Sequence, residues 1–553
     1  MKTEPEDDAA EDYRPFATFA FVWAATTLVH QLAFTFWTES WPGWLLVFAA
    51  VALVHRPDCL LRFAFLAAAS LVHLWEKMPF VPNHILYEGM LHLLLLLGVA
   101  GPLAAALRAE GGKLAPSWGP RLPLALAAVA VKAVYLLVPG IPQGYLAGAL
   151  TTLFLIVAVT RLLNAPASLG GGGAYLARVA TPMRASVVAM YVWAVVQKLN
   201  RDYFDPEISC AAQLHTEIAS YFGGLVPTAP WALAAAAPGS LAFELGIPLL
   251  LCFRRTRYAG FAAAVFFHLW LSIHPAAGIY SFTSLILALL LFFLPPNWGR
   301  QLQALWDAQL RRLGRGDMEK GRALARRSIV AVFFGTLVAQ GSLYLAIGRS
   351  YEVFGIANRI GFFSFFAWGC WLGGCYLVAG WRAGRKSEPL AGHAVATPAW
   401  AGFAVVLLNG LWPWLGGRTQ TSFSMYSNLR SEGAGNHLFL KRIDLFDLQS
   451  DFVEVLDSVP SLLDPDQRPR GIAQFAHPGN SVLAWFEFRR LLGETEGDFE
   501  VTYRRGGEEA TLGRRDGEVF GDPEAFVPPG YLGRKLIWLR RLETLEGPMR
   551  CTH

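Results

Sequence analysis

Apolar runs recur from residue 16 to residue 415 and then stop. A bilayer core asks for about 20 consecutive apolar residues per helix, fewer where neighbouring helices bury part of the segment. Candidate spans on that measure are 16–37, 43–55, 61–75, 84–107, 122–138, 145–160, 185–197, 241–253, 258–274, 278–294, 327–347, 361–380 and 399–415. The second and eighth are the weakest and would also suit re-entrant pieces inside a bundle. With 54% hydrophobic and 16% charged residues, the chain has a lipid-facing composition. Residues 416–553 are rich instead in Arg, Glu, Asp and Gly and predict a water-soluble domain.

Basic residues test the span assignment, because loops on the cytoplasmic side retain Lys and Arg. With the N-terminus inside, 22 basic residues fall in inner loops and five in the short outer loops, namely Lys77, Lys198, Arg201, Arg349 and Arg359. Losing or adding one span would scramble that contrast. The expected organisation is an acidic cytoplasmic tail at 1–15, a transmembrane domain at 16–298, a basic cytoplasmic loop at 299–326, further transmembrane helices at 327–415 and an extracytoplasmic domain at 416–553. Glu4, Glu6, Asp7, Asp8, Glu11 and Asp12 leave no basic n-region for a cleavable signal, so the first spanning helix is expected to stay.

The formal charge of +5 is small, and its basic residues sit beside apolar segments. That excludes a nucleic-acid partner and names the lipid bilayer instead. Six cysteines lie scattered without metal or redox spacing, and Cys59, Cys252, Cys370 and Cys375 fall in or beside apolar runs, so a disulfide scaffold is not expected.

Ionisable groups at membrane depth are costly and mark functional sites by default. His84, Glu88 and His92 recur every four residues on one helix, next to Asn83. A satisfied polar seam between helices explains that stripe as well as a site does, and without a fourth ligand no metal is expected. Lys198 ends the seventh span. A lysine at a helix end usually snorkels to headgroups, whereas a buried amine can be held neutral and accept a proton. His268 and His274, with Tyr280 and Ser281 beyond them and Glu244 on the preceding span, fall toward the same expected outer side. Lys132 lies inside the fifth span with no evident partner.

In the soluble region Phe499–Tyr503, Gly506-Gly507 and Ala510–Leu512 predict a hairpin, and Ser481–Leu492 a short helix. The expected fold class is therefore an all-α multi-pass membrane bundle of about 13 spans with a small C-terminal α+β domain. The polar stretch Thr421–His437 is placed either to roof an outer pocket or to enter the domain as a strand and turn. No nucleophile elbow, phosphate loop or paired-carboxylate signature is present there.

Three segments, taken in order, resemble the vitamin K-dependent gamma-carboxylase family and its bacterial relatives, the horizontally transferred transmembrane proteins. Asn83-His84 with Tyr87-Glu88-Gly89 is similar to the family's Asn-His segment. Tyr191–Tyr203, containing Lys198-Leu199-Asn200 and Asp202, is similar to its aromatic helix ending in Lys-Leu-Asp-x-Asp-aromatic. Leu241–Trp298, with Phe267-His268, Gly278-x-Tyr-Ser-Phe and a closing Pro-x-Trp, resembles its helical hairpin.

The resemblance implies a bacterial plasma-membrane protein using a reduced naphthoquinone of the vitamin K or menaquinol type, with oxygen and carbon dioxide as cosubstrates. Lys198 would be the base that deprotonates the quinol, with His84 assisting. Asn83, Glu88, His268, His274 and Tyr280 would line the cofactor site. The chemistry implied is quinol epoxidation coupled to carboxylation, or to a related proton abstraction, on an extracytoplasmic peptide or protein. Gln197, Tyr203 and Glu88 depart from the family pattern, which has a lysine, a tryptophan and an aromatic there. The alternative is a non-catalytic scaffold, lipid-binding protein or transporter on the same helices. Burial of Lys198 separates the two.

Overall fold

Backbone N–H and C=O groups in apolar surroundings must bond within their own segment, so apolar sequence of this kind folds as helix. The structure, a computed structural model, describes residues 14–34, 38, 40–107, 127, 172–274, 277–348, 351–390, 397–443, 445–459 and 481–551. Most of the acidic tail, the expected spans at 122–138 (except residue 127) and 145–160, and Lys132 lie outside the described residues. Helices α1 (Pro15–Ala33), α2 (Trp41–His55), α3 (Leu60–Lys77) and α4 (Asn83–Leu107) come first. Then follow α5 (Gly172–Lys198), α6 (Cys210–Ser220), α7 (Pro230–Cys252), α8 (Arg257–Leu271) and α9 (Ala277–Leu289). The helical part ends with α10 (Pro296–Leu313), α11 (Met318–Ile347), α12 (Tyr351–Arg382) and α13 (Ala399–Leu411).

Among the described residues five helices are long and apolar enough to cross a membrane: α1, α5, α7, α11 and the Gly355–Arg382 part of α12. Shorter apolar helices lie at Trp41–His55, Asn83–Val99, Gly278–Phe293 and Ala399–Leu415. The expected spans at 61–75 and 258–274 form α3 and α8, which do not reach that combination of length and apolarity. Such helices are those of an integral membrane protein.

Helix α1 is the axis of the bundle, packed by α2, α5, α9, α11 and α12. Phe16, Phe19 and Trp23 project from it into a buried aromatic cluster with Phe63, Tyr175 and Phe292. Close approach elsewhere depends on glycine. α13 lies against α4 and α5, and a Cβ at Gly402 would stand 2.5 Å from Leu94 Cα and 2.9 Å from Leu94 N. Backbone atoms cannot swing aside as a side chain can. Gly402→Val is therefore expected to lower thermal stability in detergent by at least ~2 kcal/mol, the scale of core overpacking, while Ala404→Val on the exposed face leaves it unchanged.

The C-terminal region carries five antiparallel strands, β1 (Phe452–Val459), β2 (Ser481–Ala484), β3 (Phe499–Arg505), β4 (Glu508–Arg515) and β5 (Glu518–Phe520), in the order β2-β1-β3-β4-β5. The expected hairpin is β3–β4, turned by Gly506 and Gly507 at φ +59° and +90°. The expected helix at 481–492 divides into β2 and then α14 (Trp485–Glu494), which buries Phe488 and Leu492 on the sheet. Within α14 the Glu487 carboxylate pairs with Arg490 and accepts from Leu539 N–H at 2.7 Å. Burial pushes that carboxyl up to about 7 against the pull of Arg490.

A short helix α15 (Tyr531–Leu536) seats the domain on the bundle. Lys535 Nζ, near its end, donates to the carbonyls of Trp75, Glu76 and Met78, each at 3.1 Å, so it caps α3.

Candidate functional site

Lys198 is the last residue of α5, and a helical Cα–Cβ bond tilts toward the N-terminus, so its side chain is aimed back along the bundle. It is 5% exposed. Its Nζ lies 3.0 Å from the Glu244 carboxylate on α7. Glu244 is the only charged residue between Pro230 and Cys252, and Pro248 four residues on lacks the N–H that would close a helical bond to its carbonyl. The pair opens on a cavity of ≈110 Å³ whose lining includes Asn83, His84, Tyr191, Lys198, Glu244 and His268.

The walls are mostly apolar, with Met190, Phe267, Leu271 and Phe282 among them. His84 stands in the first turn of α4. Its Nε2 is 2.6 Å from Ser281 Oγ on α9, and its Nδ1 is buried with no partner among the described residues. Tyr87, one turn on, lines the cavity with a buried hydroxyl that also lacks a partner among the described residues. Tyr191 lies two turns before Lys198 and its hydroxyl is 2.6 Å from His268 Nε2.

Three expected residues are placed elsewhere. Glu88 does not line the cavity: its carboxylate pairs with His30 on α1, whose Nε2 donates to Ser281 O at 2.8 Å. His92 continues that seam inward and accepts from Trp23 Nε1 at 2.8 Å. His274 pairs with Glu217 on α6 at 2.6 Å, near the surface. Tyr280 is fully buried between α9 and α12, stacked on Phe365 at 5.6 Å. Among the described residues no cluster of His, Cys, Asp and Glu could hold a metal ion.

The stretch after α13 closes the cavity from above. Phe423, Met425 and Tyr426 line it, and Phe423 N–H donates to Asn83 Oδ1 at 3.0 Å. Burial raises the Tyr426 phenol to about 12, so it remains protonated. Thr421, Phe423, Tyr426 and Asn428 all take left-handed backbone, with φ between 51° and 66°. Non-glycine residues pay for that conformation, and side-chain bonds hold it here.

Asn436 Nδ2 donates to Asp202 Oδ2 at 2.6 Å and to Asn428 O at 2.7 Å. Asn200 Nδ2 donates to Ser427 O at 2.6 Å, and Gln197 Nε2 to Ser422 O at 3.0 Å. A single disulfide, Cys210–Cys551, ties α6 to the end of the described chain, while Cys59, Cys252, Cys370 and Cys375 are free. The corner that follows Lys198 is thus fastened to the roof by its own side chains.

Residues 177–298 match the HTTM domain. The chain carries an HTTM domain. It is the domain found in vitamin K-dependent gamma-carboxylase and its bacterial relatives. The matched stretch runs from within α5 to the start of α10 and so contains Lys198, Glu244 and His268; Asn83 and His84 lie before it. No curated protein and no solved structure matches the chain.

From the sequence Glu244 stands out without a role, and His30 is not among the expected site residues. A lone carboxylate in an otherwise uncharged apolar helix was the available signal for the first. His30, an imidazole inside the first apolar span, offered the same signal, but not its pairing, because Glu88 is 58 residues away on another helix.

Proposed function

We propose that this HTTM protein is a multi-pass membrane enzyme that binds a reduced naphthoquinone in the Lys198 cavity and couples its oxygenation to proton abstraction, with carboxylation as the outcome on an extracytoplasmic acceptor. The observation that carries the reading is the burial of Lys198 against Glu244 at a cavity that His84 also lines. A snorkelling lysine would face headgroups.

The lining suits such a ligand. Its apolar and aromatic walls match a fused ring system, and the unpartnered His84 Nδ1 and Tyr87 hydroxyl are polar atoms that a quinol oxygen would satisfy. When bound, the quinol would supply the oxygen-coupled base that side chains cannot. The protein's part is to take the hydroxyl proton at Lys198 Nζ, with Glu244 as the neighbouring group able to hold the proton Nζ must first lose. His84, fixed by Ser281, orients the ring, and Phe423 and Tyr426 exclude water.

An outward-facing site accords with the distribution of basic residues and with the Cys210–Cys551 disulfide, a bond that persists in oxidising compartments. The test is oxygen-dependent epoxidation of a naphthoquinol by the purified protein in nanodiscs. Turnover above a protein-free blank is expected. Binding without turnover would favour a lipid-binding role, and neither binding nor turnover would leave a scaffold.

A further inference from the structure

A second cavity, of ≈610 Å³, lies at the far end of α1 from His84, lined by α1, α10, α11, α12 and by Pro57 and Asp58 between α2 and α3. α1 runs from Arg14 at this cavity to Phe34, whose ring meets His84, so the two sites occupy opposite ends of the bundle. Phe21, Trp306, Trp368 and Ile329 form an apolar inner wall. Trp306 and Trp371 stack at 5.5 Å, and Trp371 Nε1 donates to Gln309 at 3.0 Å. That arrangement of indoles suits the boundary between hydrocarbon and water.

The lining carries Arg14, Arg322 and Arg326 against Asp58 and Glu319, an excess of one positive charge. Arg322 is neutralised by Glu319 at 2.8 Å and Asp307 at 3.9 Å. Arg326, one turn further along α11, lines the same cavity half-buried and has no ion pair or hydrogen bond among the described residues. Around it, residues 300–327 carry eight basic side chains against three acidic ones. α10 buries Trp298, Leu302 and Trp306 on one face and exposes Arg311 and Arg312 on the other. A helix of that kind beside membrane-crossing helices attracts anionic lipid.

We propose that this cavity is a binding site for an anionic phospholipid, with an acyl chain against the tryptophan wall and the phosphate on Arg326. A guanidinium presents paired donors to phosphate oxygens. A small soluble anion would use the rim and leave the apolar wall wet. A zwitterionic headgroup would bring a second cation to an already basic rim.

The test is native mass spectrometry of the full chain released from detergent, titrated with phosphatidylglycerol, phosphatidylcholine or inorganic phosphate. Phosphatidylglycerol is expected to be retained about tenfold more tightly than phosphatidylcholine, and Arg326→Ala to remove about that tenfold preference. Arg327→Ala, an exposed neighbour, should leave it intact. Ile329→Trp fills the wall without touching the rim and should reduce retention of phosphatidylglycerol, which keeps the test decisive if Arg326→Ala misfolds. Equal retention of the two lipids, equal behaviour of the two arginine variants, or displacement of phosphatidylglycerol by millimolar inorganic phosphate would overturn the proposal.

Discussion

Lys198→Ala is expected to reduce naphthoquinol turnover by about 10²–10⁴-fold, the usual contribution of a positioned general base. The single substitution has a structural side effect, because it leaves the Glu244 carboxylate buried without its cation. Breaking a buried pair in that way costs about 3–5 kcal/mol. The double variant Lys198→Met/Glu244→Gln removes both charges, and it should fold and still be inactive. Lys198→Arg keeps a cation against Glu244, but a guanidinium does not give up its proton, so that variant should be folded, paired and inactive as well. Turnover near wild type in Lys198→Arg would show that the position needs positive charge rather than a base. Quinol binding by all three variants, measured by fluorescence quenching, separates loss of chemistry from loss of the cavity.

The sequence made the polar positions visible but not their directions. His84, Glu88 and His92 form one stripe at a spacing of four, yet each step of four turns a helix about 40° past a full circle. His84 consequently faces the cavity, Glu88 faces His30, and His92 faces Trp23. Lys198 and His268 were legible because a charge or an imidazole in an apolar helix is conspicuous, and α5 and α8 bring them to one cavity. Tyr280 carried no such information, since an aromatic in this composition is as suited to packing as to binding. The β3–β4 hairpin was legible from its Gly506-Gly507 turn. The Cys210–Cys551 bridge was not, because its partners are separated by 341 residues and neither has a spacing motif. Thr421–His437 left two readings open; it lies over the cavity, in a backbone path set by long-range side-chain bonds rather than by local propensity.

That roof supplies the second large effect. Asn436→Ala is expected to loosen the segment over the cavity by about 3–5 kcal/mol. The side chain accepts from Arg430 N–H at 2.8 Å while donating to Asn428 O and to the Asp202 carboxylate, so its removal strands the buried Arg430 N–H and Asn428 O and takes one bond from the half-buried Asp202 carboxylate, at about 1–3 kcal/mol each where water cannot replace it. Asp202 keeps the bond from Met549 N–H at 2.7 Å, and Asn200 Nδ2 still holds Ser427 O. The loosening should therefore be local. Amide hydrogen exchange at Phe423 and in the 427–430 turn should accelerate by about 10²-fold or more, since each 1.4 kcal/mol of opening free energy is a factor of ten. Exchange at Leu539, bonded to Glu487 in the sheet domain, should not change. Uniform acceleration across both regions would mean that Asn436 supports the whole domain instead of the roof. Unchanged exchange at Phe423 would mean that its bond to Asn83 and the contact of Tyr87 with Phe423 at 5.5 Å hold the segment without the Asn436 clamp. Where the loosening is local, the quinol reading predicts a further consequence: a roof that opens admits water beside Lys198, and turnover falls even though every residue lining the cavity is unaltered.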